Sequence, residues 1–407
     1  MVGERLVVTM GSSPECKTRV RRLFHAGLTP TTRRVGSSMP EGSPTRSARA
    51  RFRCIRPVPA VDSRANLGMR PTLALTAATA AAVALAAQGS AGRIVVDAPP
   101  RVGEVAIFFY AWYGTPARDG GYIHWGQGGL RPPVELASAY YPARGPYSST
   151  DLAVLRAQLR EIAAAGVDTL IVSWWGRASG DDARLTRIAA EAGRHALHVA
   201  VHLEPYHGRT PASVATDLLH LRAHGITDVY VYDATHTPAA EWATVLTPVD
   251  GVRVFANTGL PGFAKAGGFD GLYTYDAYMY DGSSFPRVCA SARRLGLVCA
   301  PSVGPGYDAR RATGDTRLRE RRGGARYDAM WRRAIAARAD VITVTSYNEW
   351  HEGTQIEPAR AVGRPYASYD GAWGLRGRRA EGAYLQRTAW WTSRYASAMA
   401  RTTPSSP

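Results

Sequence analysis

The segment TSYNEWHEGTQIEPA, from Thr345 to Ala359, sets two carboxylates three residues apart, Glu349 and Glu352, with a tryptophan and a histidine between them. If that turn is helical, the spacing holds the two Cβ atoms about 5–6 Å apart. Two carboxyl groups so close perturb each other, so that one holds a proton while the other is ionised. An acid and a base on one site is the division of labour that glycosidic bond hydrolysis needs. A bare Glu-x-x-Glu is more often a solvated loop. This pair stands apart because it lies at the end of an apolar run, DVITVTSYNEW (340–350), and because Trp350 and His351 fill the gap.

Eight apolar runs of this kind recur from residue 104 onward. They are EVAIFFYAWY (104–113), DTLIVSWW (168–175), LHVAVHLEPY (197–206), DVYVYD (228–233), VRVFANTG (252–259), FDGLYTYD (269–276), LVCAPSVG (297–304) and the run before the pair. Continuous β-branched stretches suit strands covered on both faces in a parallel sheet. Amphipathic stretches lie between them. SSTDLAVLRAQLREIAAAG opens on the capping residues Ser149 and Thr150, stops at Gly166, and repeats Leu152, Leu155, Leu159 and Ile162 along one helical stripe. DARLTRIAAEAGRHA, SVATDLLHLRAHG and RYDAMWRRAIAARA have the same form. The pattern predicts an α/β fold, a single (β/α)₈ TIM barrel over 92–407, with its chemistry on loops at the C-terminal face. A doubly wound open sheet fits less well, because no glycine-rich phosphate loop follows the first run.

On that face the strand ends are rich in aromatic rings and carboxylates: Trp112, Tyr113, Trp174, Trp175, Glu204, Tyr206, Asp233, Tyr275, Asp276 and the Glu349/Glu352 pair. Sugar rings stack their C–H faces on aromatic side chains, and carboxylates bond vicinal hydroxyls. Carbohydrate is the ligand class such a rim suits.

These residues resemble glycoside hydrolase family 99, the endo-α-1,2-mannosidases and endo-α-1,2-mannanases. The likeness is closest over Thr345–Ala359 and extends to FYAWYGTP (109–116), GGYIHW (120–125), SWWG (173–176), HLEPY (202–206), FDGLYTYDAY (269–278), GPGYD (304–308) and GAYLQRT (382–388). It implies a retaining hydrolase in which Glu349 is base to the sugar's own 2-hydroxyl and Glu352 protonates the leaving oxygen. The resemblance further implies substrate contacts from Tyr113, His124, Glu204 and Tyr275, and a stacking platform from Trp174 or Trp175. Asn348 and Trp350, flanking Glu349, join the expected substrate-binding set. After GPGYD the text departs from the family pattern and reads ARRATGDTRLRERRGGARYD. Arg311 is the counterpart of the family's substrate arginine there, and the arginines of 317–322 read as a solvated loop.

The formal charge of +17 invites a nucleic-acid reading, but residues 1–70 hold 14 basic and 4 acidic residues against 36 and 29 in the rest. Residues 1–68 read as a disordered basic leader, possessing no hydrophobic period, upstream of a translation start at Met69. MRPTLALTAATAAAVALAAQGSAG (69–92) is a signal-peptide pattern with cleavage expected after Ala91. The expectation is a secreted monomer without nucleic-acid partner, acting on α-mannan or a mannose oligosaccharide. An uncleaved, membrane-tethered form is the alternative. No metal or cofactor motif is present in the sequence, so none is expected. Cys289 and Cys299 either pair in an oxidising compartment or stay as two buried thiols.

Overall fold

A computed structural model describes residues 103–247 and 249–401. The expected leader at 1–68, the signal segment at 69–91 and the start of the catalytic domain at 92 lie outside the described residues.

Each of the eight apolar runs contains a parallel strand: β1 (Glu104–Phe109), β2 (Thr169–Trp174), β3 (His198–Leu203), β4 (Asp228–Val231), β5 (Arg253–Asn257), β6 (Gly271–Tyr273), β7 and β8 (Val341–Val344). β7 is split by Pro301 into Val298–Ala300, which pairs with β6, and Ser302–Val303, which pairs with β8. Proline lacks the N–H that a continuous ladder requires. β1 lies between β2 and β8, with Val105 opposite Ile342 and Phe109 opposite Val172. The ring therefore closes through β7, whereas an open doubly wound sheet would leave free edges. All six residues of β2 and all four of β8 are buried, as two-sided cover demands.

Eight helices follow the strands in turn: α1 (Leu152–Ala164), α2 (Gly180–Gly193), α3 (Pro211–Ala223), α4 (Ala239–Leu246), α5 (Pro261–Ala266), α6 (Phe285–Arg294), α7 (Ala325–Ala336) and α8 (Ala383–Ala400). α1 is capped by Asp151, whose carboxylate accepts from the Ala153 N–H at 2.9 Å, and not by Ser149 or Thr150. The Thr150 hydroxyl is turned instead to Asp119. Leu155, Leu159 and Ile162 are buried as the stripe predicts, and Leu159→Ala would cost about 2–5 kcal/mol. Gln158 is buried beside them because its side-chain N–H donates to Glu357. Cys289 on α6 and Cys299 on β7 form a disulfide, so the pairing alternative holds.

Candidate active site

The barrel interior is filled from below by a cluster of rings. Phe108 meets His202, Tyr273 and Tyr230 at centroid distances of 4.7, 5.8 and 6.1 Å, and Tyr275 of the layer above at 4.9 Å. Side chains two residues further along each strand point the same way. The next layer outward is therefore Tyr110, Glu204, Tyr232 and Tyr275, with Trp112 and Trp175 beyond. These residues line a cavity of about 180 Å³ whose far wall is Glu349 and Glu352.

The two acids come from one loop. Glu349 comes after β8 and the four residues 345–348, and Trp350–Gly353 form a turn rather than a helix. The Glu349 N–H donates to Ser346 Oγ at 2.8 Å, and the Glu349 carboxylate accepts from the His351 N–H at 3.0 Å. Gly353 has φ +63°, and a Cβ there would come within 2.9 Å of the Asp308 carbonyl oxygen. A glycine is what lets the turn pass so close. Glu352 accepts from the Tyr275 hydroxyl at 3.2 Å, and the Tyr110 hydroxyl lies 2.5 Å from that of Tyr275.

Burial is the main reason both carboxyls hold their protons more tightly than usual. Glu349 is raised well above the ordinary value, with the Glu352 charge adding to burial and the His351 and Glu352 N–H groups opposing it. Glu352 is raised to about 7, by burial first and then by Asp276 and Glu204, against Tyr275 and Arg317. Two interacting carboxyls titrate as a unit, so the pair passes through a state with one proton between them.

Glu204 faces the pair with its carboxylate held by Ser173 Oγ at 2.8 Å, and His202 Nδ1 lies 3.0 Å away. Burying such a group without partners would be costly. A second hollow of about 130 Å³ opens on the Glu352 side, between Tyr275, Asp276, Tyr307 and Arg317. It shares Tyr232, Asp276 and Tyr278 with a larger cavity of about 550 Å³ over β4–β6. Asp276 is raised by its burial, and the Tyr232 hydroxyl donates to it at 3.4 Å.

Several residues singled out from the sequence have other partners. Of the two tryptophans, Trp175 is 38% exposed and lines the cavity, whereas Trp174 is wholly buried and donates to Asp182 at 2.9 Å. Tyr113 is buried with its hydroxyl donating to the Asn348 carbonyl at 3.0 Å and accepting the Trp350 N–H at 3.2 Å. Asn348 bonds both the N–H and the carbonyl of Tyr110 at 2.8 Å. Trp350 donates to Glu357 at 2.9 Å. Tyr113 and Asn348 tie the acid loop to the segment after β1, Trp350 ties it to its own return at Glu357, and none of the three lines the cavity. His124 stacks behind Trp112 at 4.6 Å, its carbonyl accepts from His351, and burial lowers its pKa to about 4. Arg311 donates to the Leu136 carbonyl and covers the Tyr366 ring, away from the cavity lining. Arg317 takes the position beside Glu352 instead, lying 3.8 Å over the Tyr278 ring and paired with Asp315 at 2.6 Å. From the sequence alone Tyr110, His202 and Tyr232 receive no ligand role, and Trp112 only a place in the rim. Their signal was the period of two on strands already recognised: 108/110/112, 202/204, 230/232 and 273/275.

Among the described residues no cluster of His, Cys, Asp or Glu could hold a metal ion, and no helix is long and apolar enough to cross a membrane.

The family described as Glycosyl hydrolase family 99 matches residues 102–397. A Glycoprotein endo-alpha-1,2-mannosidase-like protein of Danio rerio is 34% identical over 330 residues, covering 65% of this chain and 74% of its own. The Glycoprotein endo-alpha-1,2-mannosidase of Xenopus laevis is 30% identical over 361 residues, covering 73% and 78%. The solved GH99 endo-alpha-mannosidase of Bacteroides thetaiotaomicron superposes with a TM-score of 0.65 at 28% identity, over 73% of this chain and 98% of that one. With a closed barrel, a coupled carboxyl pair at its mouth and a family match over nearly all of the described residues, the chain belongs to glycosyl hydrolase family 99 and is a glycoside hydrolase.

Proposed function

We propose that the protein is a secreted, monomeric, retaining endo-α-1,2-mannosidase acting on mannan or oligomannose chains. The observation that carries this reading is the coupled Glu349/Glu352 pair, set against Trp112, Trp175 and Glu204 in a cavity the size of one sugar ring.

In α-mannosides the axial 2-hydroxyl is trans to the leaving group, so it can attack C1 from behind. Glu349 must enter ionised; the two backbone N–H groups directed at it favour that form, against the burial and the Glu352 charge that oppose it. It takes the 2-hydroxyl proton as O2 bonds to C1. The C1–leaving-oxygen bond breaks, and Glu352 delivers its proton to that oxygen. The product of this step is a 1,2-anhydro sugar. Water then attacks C1 and gives a proton to Glu352, the C1–O2 bond breaks, and Glu349 returns its proton to O2. Two inversions leave the configuration retained. Substrate participation of this kind is a known departure from the two-carboxylate scheme.

Incubating the protein with an α-1,2-linked mannan, sizing the products and reading their anomeric form by NMR tests the reading. Oligosaccharides released with α configuration are expected; exo-release of single sugars, or β products, would contradict it. Export is supported by the signal-like segment after Met69 and by the Cys289–Cys299 bond, since disulfides persist in oxidising compartments. Secreted protein should begin near Gly92 by N-terminal sequencing, and a chain beginning near Met1 would overturn that part.

A further inference from the structure

Behind the catalytic loop lies an arginine from the stretch that reads as a solvated loop. Arg321 is only 7% exposed. Its guanidinium is walled by three rings, with its central carbon 4.5 Å from the Tyr140 centroid, 4.6 Å from Tyr384 and 4.8 Å from Tyr369. One nitrogen, Nη2, donates to the Gly353 carbonyl at 2.9 Å and to the Gln355 carbonyl at 2.6 Å. The Tyr369 hydroxyl donates to the Gln355 carbonyl as well, at 3.0 Å. The other guanidinium nitrogens, Nε and Nη1, have no hydrogen-bond partner. A cation lodged among ring faces is held by their negative quadrupoles, and a planar guanidinium stacks there as an ammonium does not. The chain leaves no slack: a Cβ on Gly306 would meet the Arg319 carbonyl at 2.5 Å and the Arg321 side chain at 2.9 Å.

The two carbonyls it grips lie one and three residues after Glu352. Gly353 begins where the turn from Trp350 ends, and Gln355 leads into the stretch that returns to β8 through Ile356 N–H to Ser346 at 2.9 Å. The Glu352 carboxyl itself has a single side-chain anchor, the 3.2 Å bond from Tyr275. Its aim therefore depends on where the backbone at 352–355 is fixed.

We propose that Arg321 is a positioning residue for the proton-donating carboxylate Glu352, acting through the Gly353 and Gln355 carbonyls. The proposal rests on the hydrolase reading above only in the role given to Glu352. A misplacement of about 1 Å can cost about 10²-fold in rate, and the loss should fall on the step that needs the proton.

Arg321→Lys keeps the charge and loses the planar fork. Its kcat on α-1,2-mannan should fall at least about tenfold with KM within about twofold, while an oligomannosyl fluoride, whose departure needs little protonation, should be cleaved within about twofold of the parent rate. Tyr369→Phe, which keeps the ring and the guanidinium but removes the hydroxyl's two bonds with Gln355 and its bond to the Glu357 carbonyl, should shift the same ratio in the same direction by less. Equal losses on both substrates, or none, would overturn the proposal. Hydrogen exchange judges it without any turnover. The amides of Ser346, Ile356 and Glu357, all bonded inside the loop, should exchange about tenfold faster in Arg321→Lys while β4 amides keep their rates. Unchanged loop exchange would overturn the proposal; inactivity of the parent protein on both substrates would instead overturn the functional reading.

Discussion

Replacing Tyr275 by phenylalanine removes one hydroxyl and leaves the ring that packs on Phe108 and His202. That hydroxyl donates to Glu352 at 3.2 Å and favours the ionised form. A hydrogen bond to a charged group contributes about 1.5–3 kcal/mol, and this one is longer than the usual O–H···O bond of about 2.5–3.0 Å, so the low end applies. At 1.36 kcal/mol per pKa unit the loss raises Glu352 by about one unit. The sign follows from the role. Glu352 must carry a proton to release the leaving oxygen, so activity is present below its value of about 7 and lost above it. The variant should hold the proton longer, and the alkaline limb of kcat/KM on α-1,2-mannan should move up to about pH 8. Tyr110→Phe should move it the same way by less, since the Tyr110 hydroxyl bonds to that of Tyr275 and polarises it. The remaining charges facing Glu352 fix the direction of further controls. Asp276 and Glu204 raise it and Arg317 lowers it, so Arg317→Ala should also shift the limb upward. A limb that stays in place or moves to lower pH in Tyr275→Phe would refute the assignment of that limb to Glu352 as proton donor.

Glu349→Gln and Glu352→Gln should each lower kcat on mannan by about 10²–10⁴-fold. On an activated fluoride Glu352→Gln should keep the larger share of its activity; the reverse order would exchange the two roles. The Glu352 pKa lies above the ordinary carboxylate value, so its linked stability is present below about pH 4.5 and is lost as pH rises through about 7, up to about 3 kcal/mol. Glu352→Gln should therefore melt a few degrees above the parent at pH 8 and close to it at pH 4, as calorimetry at the two pH values would show. Replacing both Cys289 and Cys299 by alanine opens a link across 10 residues of sequence. Denaturant unfolding should register a loss of about 3 kcal/mol with mannan hydrolysis at low denaturant retained, because the bond lies outside the active cavity.

The sequence makes the barrel readable because each strand is an uninterrupted apolar run and each helix an amphipathic stripe, and both signals are local. It also makes the acid pair readable, since Glu349 and Glu352 share one loop. What it does not sort is which polar group at a strand end faces the cavity. Trp174 and Trp175 are neighbours of the same type, yet strand alternation sends one to Asp182 and the other to the cavity. Tyr113 and Trp112 separate the same way. Counting by twos from Phe108, Tyr230 and Tyr273 would have picked Tyr110, Trp112, Tyr232 and Tyr275 and left Tyr113 as a brace. Asn348 and Trp350 fall outside this rule because their roles depend on Tyr110 and Glu357, partners as far as 238 positions away or on a turn with no regular period.

The stretch from 309 to 322 marks the physical limit of that reading. Its arginines are alike in type and closely spaced, and a run of like charges in a loop suggests a solvated face. The fold divides them by what each meets. Arg311 meets a carbonyl and the Tyr366 ring, Arg317 the Tyr278 ring at the edge of the Glu352 hollow, and Arg321 a closed ring of tyrosines drawn from 140, 369 and 384. None of those aromatic partners lies within the stretch itself. Tyr140 enters with the segment before α1, while Tyr369 and Tyr384 come from the return past β8, so the cage exists only once the barrel has closed. A buried guanidinium is tolerable there because ring faces and two carbonyls replace its water, and its location behind the acid loop follows from the same closure. Which arginine borders the Glu352 hollow and which lies behind the acid loop is thus decided by tertiary contacts.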